Sequence, residues 1–202
     1  TMELADGVLL RAAASETLMR PALTDIAYKR SVSWNSFRFT DGNPDLKPTY
    51  AKQWELGVKY EPAGGFGLVN AVIYDLREEN RKAPDPDNPL NQLQTGEART
   101  RGLELEAVLH VARNWDLIAT YSYTDSEVLE GTNAGKNLPS VPEHMASLWS
   151  QHRFSIGDLT GFRGGFGVRY IGTSWDGTDT LATPSQTLVD AMVGYDVGAW
   201  SF

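Results

Sequence analysis

Apolar and polar residues alternate along the stretch from Ala98 to Asp125, and this pattern predicts two long antiparallel strands. Between Gly102 and Val111 the odd positions are apolar and most even positions are polar, which is the period of a strand with unlike faces. A tight turn at Ala112 to Asn114 leads into a second alternating segment, Trp115 to Thr124. Each segment reaches about ten residues, a length that suits a tilted strand crossing a bilayer better than a strand of a soluble protein.

Further segments show the same alternation and predict an all-β chain with about eight long strands in total. They are residues 7–15, 52–61, 66–80, 142–154, 162–170 and 187–197. In the segment 66–80 both faces carry apolar side chains, so the sequence leaves open which of them meets lipid.

The connections between these segments alternate in length. Short ones near 62–65, 112–114 and 156–161 alternate with long ones, which lie near 16–50, 81–97, 127–141 and 175–184. Outer-membrane barrels have short periplasmic turns and longer extracellular loops. The chain is therefore predicted to form an antiparallel transmembrane β-barrel wall with its long loops outside the cell.

Composition narrows the classes of function. The net charge of −8 argues against nucleic-acid binding, which selects for basic surfaces, and the absence of cysteine removes disulfide and thiolate-metal sites. No apolar run is long enough for a transmembrane helix, and the N-terminal residues TMELADGVLL lack the features of a signal peptide, which is absent or already removed. The negative mean hydropathy is compatible with a barrel, because only alternate residues of its strands face lipid.

Seven sequence blocks resemble the C-terminal barrel of TonB-dependent ferric-siderophore receptors, in particular the hydroxamate-type branch to which ferrichrome receptors belong. In chain order they are GNPDLKP (42–48), WELGVKYEP (54–62), QTGEARTRGLELEA (94–107), TYSYTDSE (120–127), VPEHMASLW (141–149), GVRYIGTSW (167–175) and TLVDAMVGYD (187–196). The resemblance covers nearly the whole chain. It implies a barrel of about 22 strands in the Gram-negative outer membrane, filled by an N-terminal plug. It also implies import of a ferric siderophore when TonB pulls on that plug.

Compared with that pattern, residues 1–202 are expected to be a partial receptor barrel domain. The plug, the TonB box, the upstream strands and the last strands are missing, and Phe202 has the wrong parity for the terminal aromatic residue of a barrel. Eight strands could close into a small barrel, but charges in its narrow lumen would have to pair with one another. The charged face therefore favours an open wall that forms part of a larger barrel.

Charged side chains on the polar faces are predicted to line the lumen and to contact the plug. They are Glu55, Lys59, Glu104, Glu106, Arg163 and Arg169. Glu104 and Glu106 could instead be interpreted as an acid pair, but glycosidase chemistry needs two carboxylates on either side of one bond in a cleft. Plug contact is the favoured interpretation.

Aromatic side chains carry the prediction of a ligand site. A ferric hydroxamate complex is compact and nearly neutral, so a receptor should meet it with rings and a few hydrogen-bond donors near the extracellular mouth. Trp175 falls on the inward parity of its strand at the extracellular end, and Trp34, Phe37 and Phe39 lie in the first long loop. Trp175 could equally anchor the membrane interface, and ordinary loop packing would explain the other three. The neutral-to-acidic loops weakly disfavour an anionic catecholate ligand, which calls for a basic mouth.

Neither a catalytic site nor a metal or cofactor site is predicted. His144 with Ser147 lacks a positioned acid and an oxyanion element, and Asp85, Asp87 and Asn88 lack the glycine turn and distal glutamate of an EF-hand.

One alternative to the receptor interpretation is a complete eight-stranded outer-membrane barrel that acts as an enzyme or adhesin; an enzyme of this kind would need a catalytic set at the lip of a closed barrel. The other is a soluble β-sandwich, which would need shorter strands and a polar outer face.

Overall fold

The computed structural model describes residues 2–21, 29–33, 36–40, 45–84, 92–131, 133–198 and 200–201, and the regular secondary structure in these residues is entirely β. The strands, in chain order, are β1 (Met2–Ala5), β2 (Val8–Met19), β3 (Lys29–Ser33), β4 (Ser36–Thr40), β5 (Thr49–Tyr60), β6 (Gly67–Pro84), β7 (Gln92–Ala112), β8 (Trp115–Glu130), β9 (His144–Ile156), β10 (Leu159–Ile171), β11 (Ser174–Trp175), β12 (Ala182–Thr183), β13 (Gln186–Val197) and β14 (Trp200–Ser201). Eight of them have 12 or more residues, which confirms the predicted number of long strands.

The long strands form one antiparallel sheet. Its order is β1-β2-β5-β6-β7-β8-β9-β10-β13-β14, so each long strand lies beside the next long strand along the chain. Closure would require β1 or β2 to pair with β13 or β14, and the described residues show no such pairing. The sheet is an open wall, as the sequence predicted.

Pairing across the sheet assigns every residue of the long strands to one of two faces. One continuous row of neighbours runs through Val58, Ala71, Leu105 and Tyr121, and we call the face that contains Leu105 the apolar face. The adjacent row belongs to the opposite face, which we call the polar face; it runs through Lys59, Asn70, Glu106, Thr120, Ser147 and Arg169.

The same pairing decides the orientation of β6, which the sequence left open. Ala71 is opposite Leu105 and Ile73 is opposite Leu103, so the odd positions of β6 lie on the apolar face. The even positions, such as Val72 opposite Glu104, lie on the polar face. The partner strand settles the matter because its own alternation is unambiguous.

A conventional hydrophobic core is almost absent from the described residues. Leu46 and Ala98 are the buried apolar side chains, whereas Val193 is 84% exposed. The accessible surface is 13,793 Å², against about 9,400 Å² for a compact monomer of the same mass. The apolar face is thus an exposed patch far larger than soluble proteins tolerate, which is typical of a lipid-facing surface.

Aromatic residues lie near both ends of the apolar face. On β5 they are Trp54 and Tyr60, and on β10 they are Phe162 and Tyr170. The latter pair is separated by about 26 Å along the strand at ~3.3 Å per residue, comparable with the ~25 Å apolar band between the aromatic girdles of outer-membrane barrels.

Two regions predicted to be irregular contain more strand than expected. In the region 16–50, β2 continues to Met19, β3 pairs with β4 and β5 begins at Thr49. In the region 81–97, β6 continues to Pro84 and pairs with β7 from Gln92, through bulges near Arg81. Alternation failed as a signal because strands that continue beyond an apolar band have no lipid-facing side, so their side chains need not alternate.

Candidate functional site

All six charged residues predicted to line the lumen lie on the polar face. Lys59, Glu106 and Arg169 belong to the row described above. Glu55, Glu104 and Arg163 are each an even number of residues away from these on β5, β7 and β10, without a bulge in between. The structure therefore brings the predicted set onto one surface.

The basic members and Glu55 have partners within the wall. Lys59 Nζ lies 2.6 Å from Glu61, Arg163 Nη2 donates to Asp196 at 2.9 Å, and Arg169 Nη2 donates to Asp190 at 3.3 Å. Glu55 accepts a hydrogen bond from Gln53 at 2.5 Å and lies 4.0 Å from Arg11. These contacts hold the cations close to the sheet.

Glu104 and Glu106 differ from the others. Both side chains are exposed, and neither has an ion-pair or hydrogen-bond partner among the residues that the structure describes. They border a hollow of about 460 Å³ on the polar face, beside the hydroxyl pair of Thr120 and Ser147 (2.7 Å). Arg169 also borders this hollow, but its guanidinium is paired with Asp190, so the two adjacent carboxylates favour a further cationic partner above this part of the wall.

Two aromatic side chains lie against glycines on the polar face, a feature that the sequence analysis missed. A Cβ added to Gly165 would lie 2.4 Å from the Trp149 ring, and one added to Gly167 would lie 2.5 Å from it. Tyr74 crosses Gly102 in the same way, and its hydroxyl lies 3.2 Å from Thr124 Oγ1. The detectable signal was an aromatic residue on the polar parity whose paired strand carries glycine.

Trp175 does not belong to the strand from which its direction was predicted. β10 ends at Ile171, and Trp175 lies in β11, which pairs with β12 in a separate two-stranded sheet. The parity argument is therefore wrong, because alternation cannot be counted across the irregular residues 172–173. Its position at the long-loop end of the wall agrees with the prediction.

Two long-loop segments contact each other next to Trp175. We call them the 131–143 loop, which joins β8 to β9, and the 174–183 hairpin, which contains β11 and β12. The backbone N–H of Ser140 donates to the Trp175 carbonyl at 2.8 Å, and Asn137 donates to Asp179 Oδ1 from both its backbone N–H and its side-chain amide, each at 3.2 Å. Gly177 packs against Pro139, which an added Cβ would meet at 3.2 Å.

A network around Asp176 stabilises the turn of the 174–183 hairpin. Thr178 and Thr180 each donate to this carboxylate from backbone N–H and hydroxyl groups at 2.7–3.2 Å. The hydrogen bond from the Thr178 hydroxyl is the main reason why the pKa of Asp176 lies far below its ordinary value. The turn is therefore ordered by its own residues.

The other predicted ligand contacts lie in the region between β2 and β5. Phe37 and Phe39 are in β4, a strand whose backbone the structure describes. Trp34 lies outside the described residues. The end of this region is attached to the β6–β7 hairpin, because the backbone of Lys47 exchanges two hydrogen bonds with the side-chain amide of Gln94.

The residues considered for catalysis are separated by the fold. His144 lies on the apolar face, where its Nδ1 is 2.9 Å from the Tyr121 hydroxyl, whereas Ser147 lies on the polar face. Asp85, Asp87 and Asn88 lie outside the described residues, and the described part of the chain has no cluster of three or more His, Asp or Glu placed to hold a metal ion. Within that same part, no helix is long and apolar enough to cross a membrane.

Comparison with known proteins supplies the family. Residues 2–202 match the family described as TonB dependent receptor-like, beta-barrel. The chain belongs to this family. It is 37% identical over 173 residues to the ferrichrome outer membrane transporter/phage receptor of Escherichia coli K12, covering 85% of this chain and 23% of that protein. It is 36% identical over 178 residues to the ferrioxamine B receptor of Salmonella typhimurium, covering 86% of this chain and 25% of that protein.

Solved receptor structures show the same wall. The ferric-catecholate import receptor Fiu of E. coli K12 has a TM-score of 0.75 and 26% identity, covering 98% of this chain and 28% of that one. The siderophore receptor PiuA of Acinetobacter baumannii, with a TM-score of 0.78 at 22% identity, shares the fold. The chain thus spans about a quarter of the length of these relatives.

Membership of this family shows which environment each face of the wall meets. The chain is part of a Gram-negative outer-membrane β-barrel. In such barrels the apolar side of each strand faces lipid, the polar side faces the lumen, and the longer loops are extracellular. The 131–143 loop and the 174–183 hairpin accordingly lie at the extracellular end of the wall.

Proposed function

We propose that residues 1–202 are a partial barrel domain of a receptor that binds a ferric siderophore at the cell surface and imports it in a TonB-dependent manner. The observation that carries this proposal is the open wall with one apolar and one polar face, in a chain that matches the receptor barrel family along nearly its whole length. An open sheet in lipid requires further strands to satisfy its edges. In the proposed receptor, other strands complete a barrel of about 22 strands around a plug.

A hydroxamate-type siderophore is the proposed ligand class. The relatives named for ferrichrome and ferrioxamine B are 37% and 36% identical to this chain, compared with 29% for the catecholate receptor Fiu. A compact, nearly neutral iron complex binds well to aromatic rings with few charges. Trp175, Trp34, Phe37 and Phe39 are the proposed contacts at the extracellular mouth.

Iron uptake tests the proposed function directly. The complete receptor, encoded by the reading frame that contains this chain, is expressed in a strain without its own siderophore receptors. Cells supplied with radioactive iron as ferrichrome or ferrioxamine B are expected to accumulate it, and deletion of TonB should abolish accumulation. Uptake of a tris-catecholate complex alone would overturn the ligand class. If the receptor neither binds nor imports any of the three complexes, the proposed function is overturned.

The polar face is proposed to contact the plug, with Glu104 and Glu106 as the main contacts. They are the carboxylates of the predicted set without a partner in the described wall, so cationic side chains of the plug would supply the missing counter-charge. The four other members, Glu55, Lys59, Arg163 and Arg169, would present hydrogen-bonding surface that is already neutralised within the wall.

Replacing both carboxylates by glutamine should loosen the plug and leave the barrel intact. For Glu104→Gln with Glu106→Gln in the complete receptor, we expect the plug to unfold at a lower urea concentration while the barrel transition stays unchanged. Limited proteolysis and a urea titration provide the measurement. Glu130→Gln, an exposed carboxylate at the extracellular end of β8, is the matched control. An unchanged plug transition in the double variant would contradict the assigned contact.

A further inference from the structure

We propose that Asp179 joins the 131–143 loop and the 174–183 hairpin into one rigid extracellular unit and thereby positions Trp175 against the ligand. The coupling of the loops is a property of the fold. The consequence for the ligand rests on the proposed function. Asp179 and Asn137 are positioning residues in this proposal, because they act through Trp175.

Asp179 lies at the centre of the contact between the two segments. Its Oδ1 accepts both hydrogen bonds from Asn137 at 3.2 Å, and its Oδ2 lies 3.9 Å from Lys136 Nζ. The Asp179 side chain is only 21% exposed, so water competes weakly for its oxygens. Asp176 already orders the turn of the hairpin, which leaves Asp179 to hold the neighbouring loop.

Trp175 itself is attached to the same loop. Its carbonyl accepts a hydrogen bond from Ser140, and two residues later Gly177 packs on Pro139. The 131–143 loop therefore contacts the hairpin at the residues on either side of Asp176. A shift of the loop relative to the hairpin would break these contacts or carry the backbone of Trp175 with it.

Backbone conformations at the contact indicate that the arrangement is held in place. Asp179 has φ 55° and Ser140 has φ 62°, both in the left-handed region that non-glycine residues rarely adopt. Such conformations persist where surrounding contacts over-determine them. A loop pair held in this way fixes the backbone of Trp175 before a ligand arrives, so that a ligand does not have to order this backbone on binding.

Two substitutions at position 179 separate the hydrogen bonds from the backbone conformation. Asp179→Gly permits the left-handed backbone but removes the acceptor, whereas Asp179→Asn tolerates that backbone and keeps one carbonyl oxygen for Asn137. Glu143→Gln is the matched control, since this carboxylate lies in the same loop and its neighbour is His144, with Nε2 at 3.8 Å, rather than the 174–183 hairpin.

Hydrogen exchange of the complete receptor without ligand tests the coupling. Asp179→Gly should raise amide exchange in both the 131–143 loop and the 174–183 hairpin, and Asp179→Asn and Glu143→Gln should match the wild type. If Asp179→Gly lowers the folded yield, Asn137→Ala removes one hydrogen bond and should raise exchange in the same two segments by a smaller factor. A rise confined to one segment, or no rise, would overturn the proposal.

Binding of ferrioxamine B and ferrichrome tests the positioning role. Asp179→Gly should raise Kd by about tenfold through lost preorganisation, and Asp179→Asn should restore it. Trp175→Ala should weaken binding at least as much, and adding Asp179→Gly to it should have little further effect, because both act through one contact. Fully additive effects would overturn the positioning role. If the wild type binds neither hydroxamate complex, the proposed ligand class fails, while hydrogen exchange still decides the coupling.

Discussion

Replacing Leu105 by arginine is expected to destabilise the barrel by about 2–4 kcal/mol, the cost of a basic side chain on the lipid face near the middle of the bilayer. Leu105 lies on the apolar face of β7 between Ala71 and Tyr121 and is 39% exposed. The described residues provide no cover for it, so an arginine there would face hydrocarbon. Urea titration of the complete receptor in lipid, followed by tryptophan fluorescence, measures the loss.

Ser122→Arg is the matched control for this experiment. Ser122 lies on the polar face of the neighbouring strand, opposite Glu104, so an arginine at this position would meet water and a carboxylate. We expect the barrel transition to change little. Equal destabilisation by both substitutions would show that the assignment of the two faces is wrong.

Replacing Gly102 by alanine is expected to cost about 3 kcal/mol, in the upper range of overpacking effects. An added Cβ would lie 2.1 Å from the carbonyl oxygen of Tyr123 and 2.8 Å from the Tyr74 hydroxyl. Side chains can rotate away, but the carbonyl belongs to the paired backbone of β8. The β7–β8 ladder would therefore have to distort, and the urea midpoint of the barrel should fall.

Gly164→Ala is the control, because an added Cβ there would meet only the Phe154 ring, at 3.3 Å. It should change the midpoint slightly. Tyr74→Ala in the Gly102→Ala background, compared with Tyr74→Ala alone, removes the whole ring, including the Cζ that lies 2.9 Å from the added Cβ, but leaves the carbonyl of Tyr123, so little rescue is expected. Full rescue would place the conflict in the Tyr74 side chain and contradict the explanation by backbone contact.

Alternation predicted the strands where one face meets lipid, and it failed where neither face does. β7 and β8 were recognised because apolar and polar residues alternate from Gly102 to Thr124. The continuation of β6 to Pro84 and of β7 from Gln92 was missed. No membrane imposes a pattern there, and the pairing is held by backbone hydrogen bonds together with side-chain contacts such as that of Gln94 Nε2 with the Asn80 carbonyl at 3.1 Å.

Parity also located the charged side chains of the candidate site but not their partners. Glu104 and Arg169 were placed on the polar face from sequence, and the fold confirms that position. That Arg169 pairs with Asp190 while Glu104 lacks a partner in the described wall depends on which strands are neighbours. For Trp175 the predicted face itself has no basis, because parity was counted through the break between β10 and β11.

The sequence by itself determined the all-β class, the long strands, the apolar and polar faces of most of them, and the resemblance to the receptor family. Each of these follows from local periodicity or from short sequence blocks such as WELGVKYEP. Only the tertiary structure decided the orientation of β6, the contact of the two loops at Asp179, and the packing of Trp149 on Gly165 and Gly167. These features depend on pairing between residues distant in the chain, and such pairing leaves no periodic signal along a single strand.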